Sequence, residues 1–289
     1  MSKRILVATD LSAASEDALR QAASYTDSVL GVIHVMPNLV DVRPLFPQNN
    51  EANATHAIEI EAKVREAVES AAKAVTTGPV EVFLEQGLDH EAVVTQAKKW
   101  KADLLVVGSH GRTGLPRLLL GSVAERLVRE APCSVLVARK HRPGPVLVAT
   151  DLSEASLPAV AVGAQEAKRR GVSLVVAHVI DHALSDFAAS ALSQFLGVLP
   201  PANAELLGEA RTAAKAALES IIAKTGVPGE ARVLEGSAAS AVIRAAEELG
   251  AEVVVVGAHG KSGVRDLVLG TVTERILRSA QGSVMVVRQ

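Results

Sequence analysis

One cysteine, Cys133, occurs in 289 residues. No intrachain disulfide can form, which fits a reducing compartment. It begins the apolar stretch Cys133-Ser134-Val135-Leu136-Val137, where a lone cysteine reads as a small core residue. Aromatic residues make up only 2% of the chain and the net charge is −2. Neither the stacking platform nor the basic stripe of a nucleic-acid binder is therefore present. No run approaches the ~18 uninterrupted apolar residues of a membrane-spanning helix. The apolar run after Met1-Ser2-Lys3-Arg4 is too short for a secretory signal. These absences predict a cytoplasmic protein that engages neither nucleic acid nor membrane.

What is present is an ordinary globular composition, 48% apolar and 21% charged, at a length that suggests about two domains of ~150 residues each. The hexapeptide Val-Ala-Thr-Asp-Leu-Ser occurs at 7–12 and again at 148–153, so the chain is duplicated. The basic, proline-rich segment 139–145 divides the copies, giving domains 1–140 and 145–289. In the first copy, short apolar runs at 4–9, 29–35, 80–85, 104–107 and 134–138 read as buried strands. Helices are expected over 15–27, 54–75, 87–99 and 122–129. The long helix carries an apolar stripe, Ile60, Val64, Val68, Ala71 and Val75. The second copy repeats the plan with strands 146–150, 173–179, 231–235, 253–256 and 283–287. Its helices are expected over 155–170, 203–225, 238–249 and 271–279. Strands alternating with helices imply α/β architecture with right-handed crossovers, and two tandem doubly wound parallel sheets. Ligands bind such sheets outside the carboxyl ends of the strands, where strand order reverses.

Two glycine loops sit at such ends. One runs Gly108-Ser109-His110-Gly111, nine residues, Gly121-Ser122; the other runs Gly257-Ala258-His259-Gly260, nine residues, Gly270-Thr271. Glycines permit close backbone approach to an anion and allow positive φ. A helix N-terminus, with Ser122 or Thr271 near its cap, adds amide donors. A helix dipole contributes only ~0.3–1 kcal/mol at an exposed site, whereas micromolar binding needs about 8 kcal/mol. Several amides and a buried base must supply the rest, with Val35 or Val179 as base-pocket residues and Arg112 or Lys261 as phosphate partners. Asp10 and Asp151 follow the first strand of each copy. Each either caps the next turn, bonds a ribose or base amine, or ligates Mg²⁺ beside phosphates.

Competing signatures fail. Val255 stands where a P-loop would need its opening glycine, and no Gly-x-Gly-x-x-Gly follows the first strand. No Gly-x-Ser-x-Gly elbow occurs. His110 and His259 lack metal-ligand spacing and are assigned to loop support or the phosphate edge. His34 and His178 lie inside apolar strands and read as core histidines with their hydrogen bonds met.

The Gly-x-x-Gly, nine-residue, Gly-Ser/Thr pattern resembles the ATP-binding signature of universal stress proteins. The resemblance extends to the Asp-Leu-Ser and His-Val strand ends and to Glu125-Arg126 and Glu274-Arg275. It implies the adenine-nucleotide α-hydrolase-like fold, strand order 3-2-1-4-5, in a tandem member. By resemblance the nucleotide contacts are Asp10, Val35, Val107, Gly108, Gly111, Gly121, Ser122 and Val123. In the second copy they are Asp151, Val179, Val256, Gly257, Gly260, Gly270, Thr271 and Val272. It also implies two bound ATP molecules, with Mg²⁺ as an option, and pairing of the two copies through their last strands as a pseudo-dimer; association of two chains stays open. The resulting expectation is a nucleotide-binding stress or regulatory protein without fast catalysis. The alternatives are a slow ATPase, a nucleotide-transfer enzyme on the same fold, or a partner-binding scaffold.

Overall fold

A computed structural model describes residues 2–37, 50–111, 120–181, 203–258 and 269–288. The chain forms two compact units, residues 1–141 and 142–289. In the first, the strands are β1 (Lys3–Ala8), β2 (Ser28–Met36), β3 (Val80–Gln86), β4 (Leu104–Gly108) and β5 (Ser134–Ala138). The helices are α1 (Ala13–Ala23), α2 (Asn50–Lys73), α3 (Asp89–Trp100) and α4 (Ser122–Glu130). The second unit holds β6 (Val146–Ala149), β7 (Leu174–Ile180), β8 (Gly229–Glu235), β9 (Val253–Gly257) and β10 (Ser283–Val287). Its helices are α5 (Leu157–Arg170), α6 (Asn203–Thr225), α7 (Ala238–Glu248) and α8 (Thr271–Ser279).

Within the first unit the strands run β3-β2-β1-β4-β5, all parallel; within the second they run β8-β7-β6-β9-β10, also parallel. Each is the 3-2-1-4-5 order. Helices on both faces leave the middle strands without solvent contact, which is why they read as unbroken apolar runs. Ile5, Leu6 and Val7 in β1 and Leu105 and Val106 in β4 are fully buried. Order reverses at β1, whose Ala8 pairs with Ile33 on one side and Val107 on the other. In the second unit β6 lies between β7 and β9. The carboxyl ends of these three-strand groups define the clefts.

Three expectations shift. Helix α1 ends at Ala23 rather than near Asp27, because Ser24 Oγ bonds back to the Gln21 carbonyl at 2.6 Å and competes with continued helix. The helix expected over 155–170 opens instead as a 3₁₀ turn, Glu154–Ser156, before α5. The stripe on the long helix is covered only at its carboxyl end: Val68 is buried, but Ile60 is 44% exposed. A 24-residue helix is roughly 36 Å long, whereas the seven residues of β3 span roughly 23 Å. The helix therefore outruns the sheet that could cover it.

At the opposite end of the second sheet lies a buried ion network. Arg170 donates through Nε to Glu166 Oε2 at 3.1 Å and through Nη1 to Glu252, and Arg169 reaches Glu166 at 2.7 Å. The side chains of Glu166, Arg170 and Glu252 are each less than a tenth exposed. The Glu252 backbone is held as well, its N–H by the Pro145 carbonyl and its carbonyl by the Ser283 N–H.

Candidate functional site

The turn after the first strand of each unit is built the same way twice. Thr9 Oγ1 accepts the Leu11 N–H at 3.1 Å and donates to Ser15 Oγ at 3.0 Å, and Ser15 Oγ donates to the Ser12 carbonyl at 2.9 Å. Thr150, Leu152, Ser156 and Ser153 repeat this at 3.0, 2.7 and 2.9 Å. Asp10 Oδ1 accepts the Ser12 N–H and Asp151 Oδ1 the Ser153 N–H, both at 3.0 Å. Leu11 and Leu152 are held at φ 62° and 63°, a left-handed conformation that costs a non-glycine residue about 1–2 kcal/mol. The hydroxyl network overrides that preference. His34 Nδ1 lies 2.7 Å from the Thr9 carbonyl and His178 Nδ1 2.9 Å from the Thr150 carbonyl. A carbonyl only accepts, so Nδ1 carries the proton. His34 is the buried, hydrogen-bonded strand residue expected, whereas His178, expected in the core, is half-buried and lines the cavity described below. Replacing Thr150 with valine keeps the shape but strands the Leu152 N–H, and should cost about 1–3 kcal/mol. Chemical denaturation of the variant checks this; an unchanged midpoint would show that the network carries no stability.

The glycine loop is pinned at its neck. The Gly121 N–H donates to the Ser109 carbonyl at 2.8 Å and the Gly270 N–H to the Ala258 carbonyl at 3.0 Å. Gly121 and Gly270 are themselves the N-caps of α4 and α8, so Ser122 and Thr271 are the first helical residues rather than the caps. Among the described residues neither helix receives a side-chain cap. These glycines sit at φ −68° and −61°; positive φ is not why glycine is there. The space a side chain would occupy is the reason. A Cβ at either position meets only ordinary contacts, the nearest at 3.4 and 3.6 Å, and anything longer would extend over the helix terminus.

Gly108 and Gly111 have different reasons. A Cβ at Gly108 would lie 2.8 Å from the Ala14 backbone, so this glycine lets α1 approach β4. A Cβ at Gly111 would lie 2.7 Å from Asp10 Oδ2. The Asp10 turn and the glycine loop therefore meet: one Asp10 oxygen caps the turn, as one of the expected readings has it, and the other lies beside Gly111. Ser109 Oγ also bonds His110 Nδ1 at 2.9 Å, a loop-supporting contact.

In the second unit these parts surround a cavity of about 300 Å³, at the lower end for small-molecule sites. Asp151, Val179, Val256, Gly257, Gly270, Thr271 and Val272 line it, as do His178 and the turn residues Thr150 and Ser156. Ala238 and Val242 of α7 and Ile276 of α8 form an apolar wall absent from the residues singled out by sequence. In the first unit, Asp10 and Gly111 adjoin, Val107 and Gly108 close β4, Gly121, Ser122 and Val123 open α4, and Val35 lies near the end of β2. Arg112, His259, Gly260 and Lys261 fall outside the described residues. Among the described residues no group of three or more His, Cys, Asp or Glu side chains could hold a metal, and no helix is long and apolar enough to cross a membrane.

The profile of the universal stress protein family matches this chain twice, over residues 1–139 and 144–288. The chain belongs to the universal stress protein family. A universal stress protein of Mycolicibacterium smegmatis is 31% identical over 98% of this chain and 96% of its own length. Universal stress protein Rv2005c of Mycobacterium tuberculosis is 34% identical over 65% of this chain and 63% of its own. Among solved structures, a universal stress protein from Archaeoglobus fulgidus covers 100% of this chain and 99% of its own with a TM-score of 0.67 at 20% identity, a likeness of fold.

As a tandem universal stress protein, the chain permits an internal comparison. Sixteen residues line the second unit's cavity, and at eleven of those positions the first unit carries the same residue. The differences are Ile33 for Ala177, Asp89 for Ala238, Ser122 for Thr271, Ala124 for Thr273 and Leu127 for Ile276. Glu125 and Glu274 bond Arg129 and Arg278, one turn on, each at 3.1 Å, rather than the adjacent arginines.

Proposed function

We propose that each unit binds ATP, and that this universal stress protein works in the cytoplasm as a nucleotide-responsive regulator without fast catalysis. The reading rests chiefly on the second unit's cavity, where an apolar wall, a strand-end carboxylate and an uncapped helix N-terminus converge. The phosphates take the amides at Gly121–Val123 or Gly270–Val272. Gly111 borders them in the first unit, and Arg112, Gly260 and Lys261 are assigned to them by the sequence signature alone. Asp10 or Asp151 accepts from the ribose or base, and Val35 or Val179 packs beside the base. Asp151 is the one acidic side chain among the described residues lining the second cavity, so Mg²⁺ there would arrive with the phosphates and keep most of its waters. Apart from the Ser109–His110 contact, which we read as loop support, no base is paired with an oriented nucleophile among the described residues, which favours holding over turnover.

Mass spectrometry of small molecules released on denaturing the purified full-length protein, together with calorimetric titration by ATP and Mg²⁺, tests this. About two ATP per chain are expected, with slow or no turnover. An empty protein that shows no heat and no thermal shift with ATP and Mg²⁺ would remove nucleotide binding. ADP or AMP appearing at many turnovers per minute would make it an enzyme instead.

A further inference from the structure

From the third strand onward the units keep one offset. β3 and β8, α3 and α7, β4 and β9, α4 and α8, and β5 and β10 all begin 149 residues apart. Of the five cavity positions that differ, four leave charge unaltered. Ser122 and Thr271 both offer a hydroxyl, Leu127 and Ile276 are isomers, Ile33 adds bulk where Ala177 stands, and the Thr273 hydroxyl is engaged by the Gly257 carbonyl at 2.8 Å. The fifth places the Asp89 carboxylate where the second unit presents the Ala238 methyl.

Asp89 is the first residue of α3 and is exposed. Its helix follows β3, three strands from the β4 glycine loop in the order β3-β2-β1-β4. From there it crosses back over the sheet toward β4 and packs on α4, whose first residues follow the glycine loop. In the second unit the matching Ala238 lines one cavity together with His178 and Val179 at the end of β7 and with Gly270 and Thr271 at the start of α8. A ligand whose phosphates take the start of α4 and whose base packs beside Val35, as proposed above, therefore has its base in the same cleft as position 89. An ionised carboxylate only accepts hydrogen bonds, so it favours a base edge bearing N–H donors and repels one bearing a carbonyl oxygen.

We propose that Asp89 makes the first site selective for a purine with an exocyclic amine, whereas Ala238 leaves the second tolerant of base identity. The proposal rests on the nucleotide reading above. Its test uses full-length protein carrying Gly270→Val, which closes the second site, titrated calorimetrically with ATP and with ITP, whose base has oxygen in place of the amine. ATP is expected to bind about tenfold more tightly, the scale of one charge-assisted hydrogen bond. In Asp89→Asn the preference should fall to within about twofold, because an amide can donate to the oxygen as well as accept. With Gly121→Val closing the first site, the second should bind the two within about threefold. Equal affinities at the first site, a preference that survives Asp89→Asn, or a tenfold preference at the second site would each overturn the proposal while leaving nucleotide binding intact. No heat with either nucleotide in any variant would overturn both.

Discussion

Replacing Glu252 with alanine is expected to destabilise the second unit by about 3 kcal/mol, the lower end of the 3–5 kcal/mol range for breaking a buried ion pair. The carboxylate and the Arg170 guanidinium are both almost wholly buried, so the substitution leaves a cation with half its compensation. The effect stays at the low end because Glu166 continues to hold Arg170 through Nε. Chemical denaturation of the full-length variant would show the transition of residues 142–289 moving to lower denaturant. A loss below about 0.5 kcal/mol, the usual scale for a surface substitution, would mean that the network is solvated and not structural. The first unit has Asp103 at the corresponding place, where the carboxylate caps the Arg4 N–H at 2.8 Å in an exposed position. Asp103→Ala should accordingly cost less than Glu252→Ala.

The second large effect concerns ligand. The double substitution Gly121→Val and Gly270→Val should weaken ATP binding at both sites by about a hundredfold, equivalent to about 2.7 kcal/mol, while the thermal melt of the ligand-free protein changes little. The separation follows from the contacts a Cβ would make. Among the described residues nothing lies closer than 3.4 Å to a Cβ at these two positions and the backbone stays in a common region, so the isopropyl group should be tolerated by the fold while crowding the proposed phosphate site. Gly108→Val is the contrasting control, since its Cβ would collide with the Ala14 backbone and unseat α1. Calorimetry and melting measured side by side decide the matter. Unaltered ATP affinity in the double variant would remove the helix N-termini from the phosphate site.

Much of this was legible before any coordinates. The strands announced themselves because a doubly covered parallel sheet admits only apolar side chains, as in Ile5-Leu6-Val7 and Val253 to Val256. The repeated Val-Ala-Thr-Asp-Leu-Ser marked both strand ends, and the glycine spacing marked both loops. What stayed hidden were relations between residues distant in the chain or dependent on conformation. Nothing in the letters says that Leu11 and Leu152 adopt positive φ, since leucine is among the residues least suited to it. Thr9 and Ser15 look like ordinary small polar residues until the turn joins them, although their reappearance as Thr150 and Ser156 was a usable signal. The wall formed by Ala238, Val242 and Ile276 depends on which end of a crossover helix overhangs the cleft, and periodicity gives a face but not a height. Glycine was expected both for close backbone approach and for positive φ, and at Gly121 and Gly270 the second reason does not apply. Cys133, expected in the core, sits half-buried just ahead of β5, where the strand has not yet entered the sheet.

The two kinds of turn around each cleft have opposite consequences for solvent access to the backbone. In the Asp-Leu-Ser turns, side chains of the same segment occupy the amides: Thr9 and Asp10 hold those of Leu11 and Ser12, and Thr150 and Asp151 hold those of Leu152 and Ser153. At the starts of α4 and α8 a glycine cap supplies no such partner. Deuterium uptake should therefore be slow across residues 9–12 and 150–153, and fast at 122–124 and 271–273. These last stretches are where an arriving anion would register first, as protection of a few amides in an otherwise unmoved sheet.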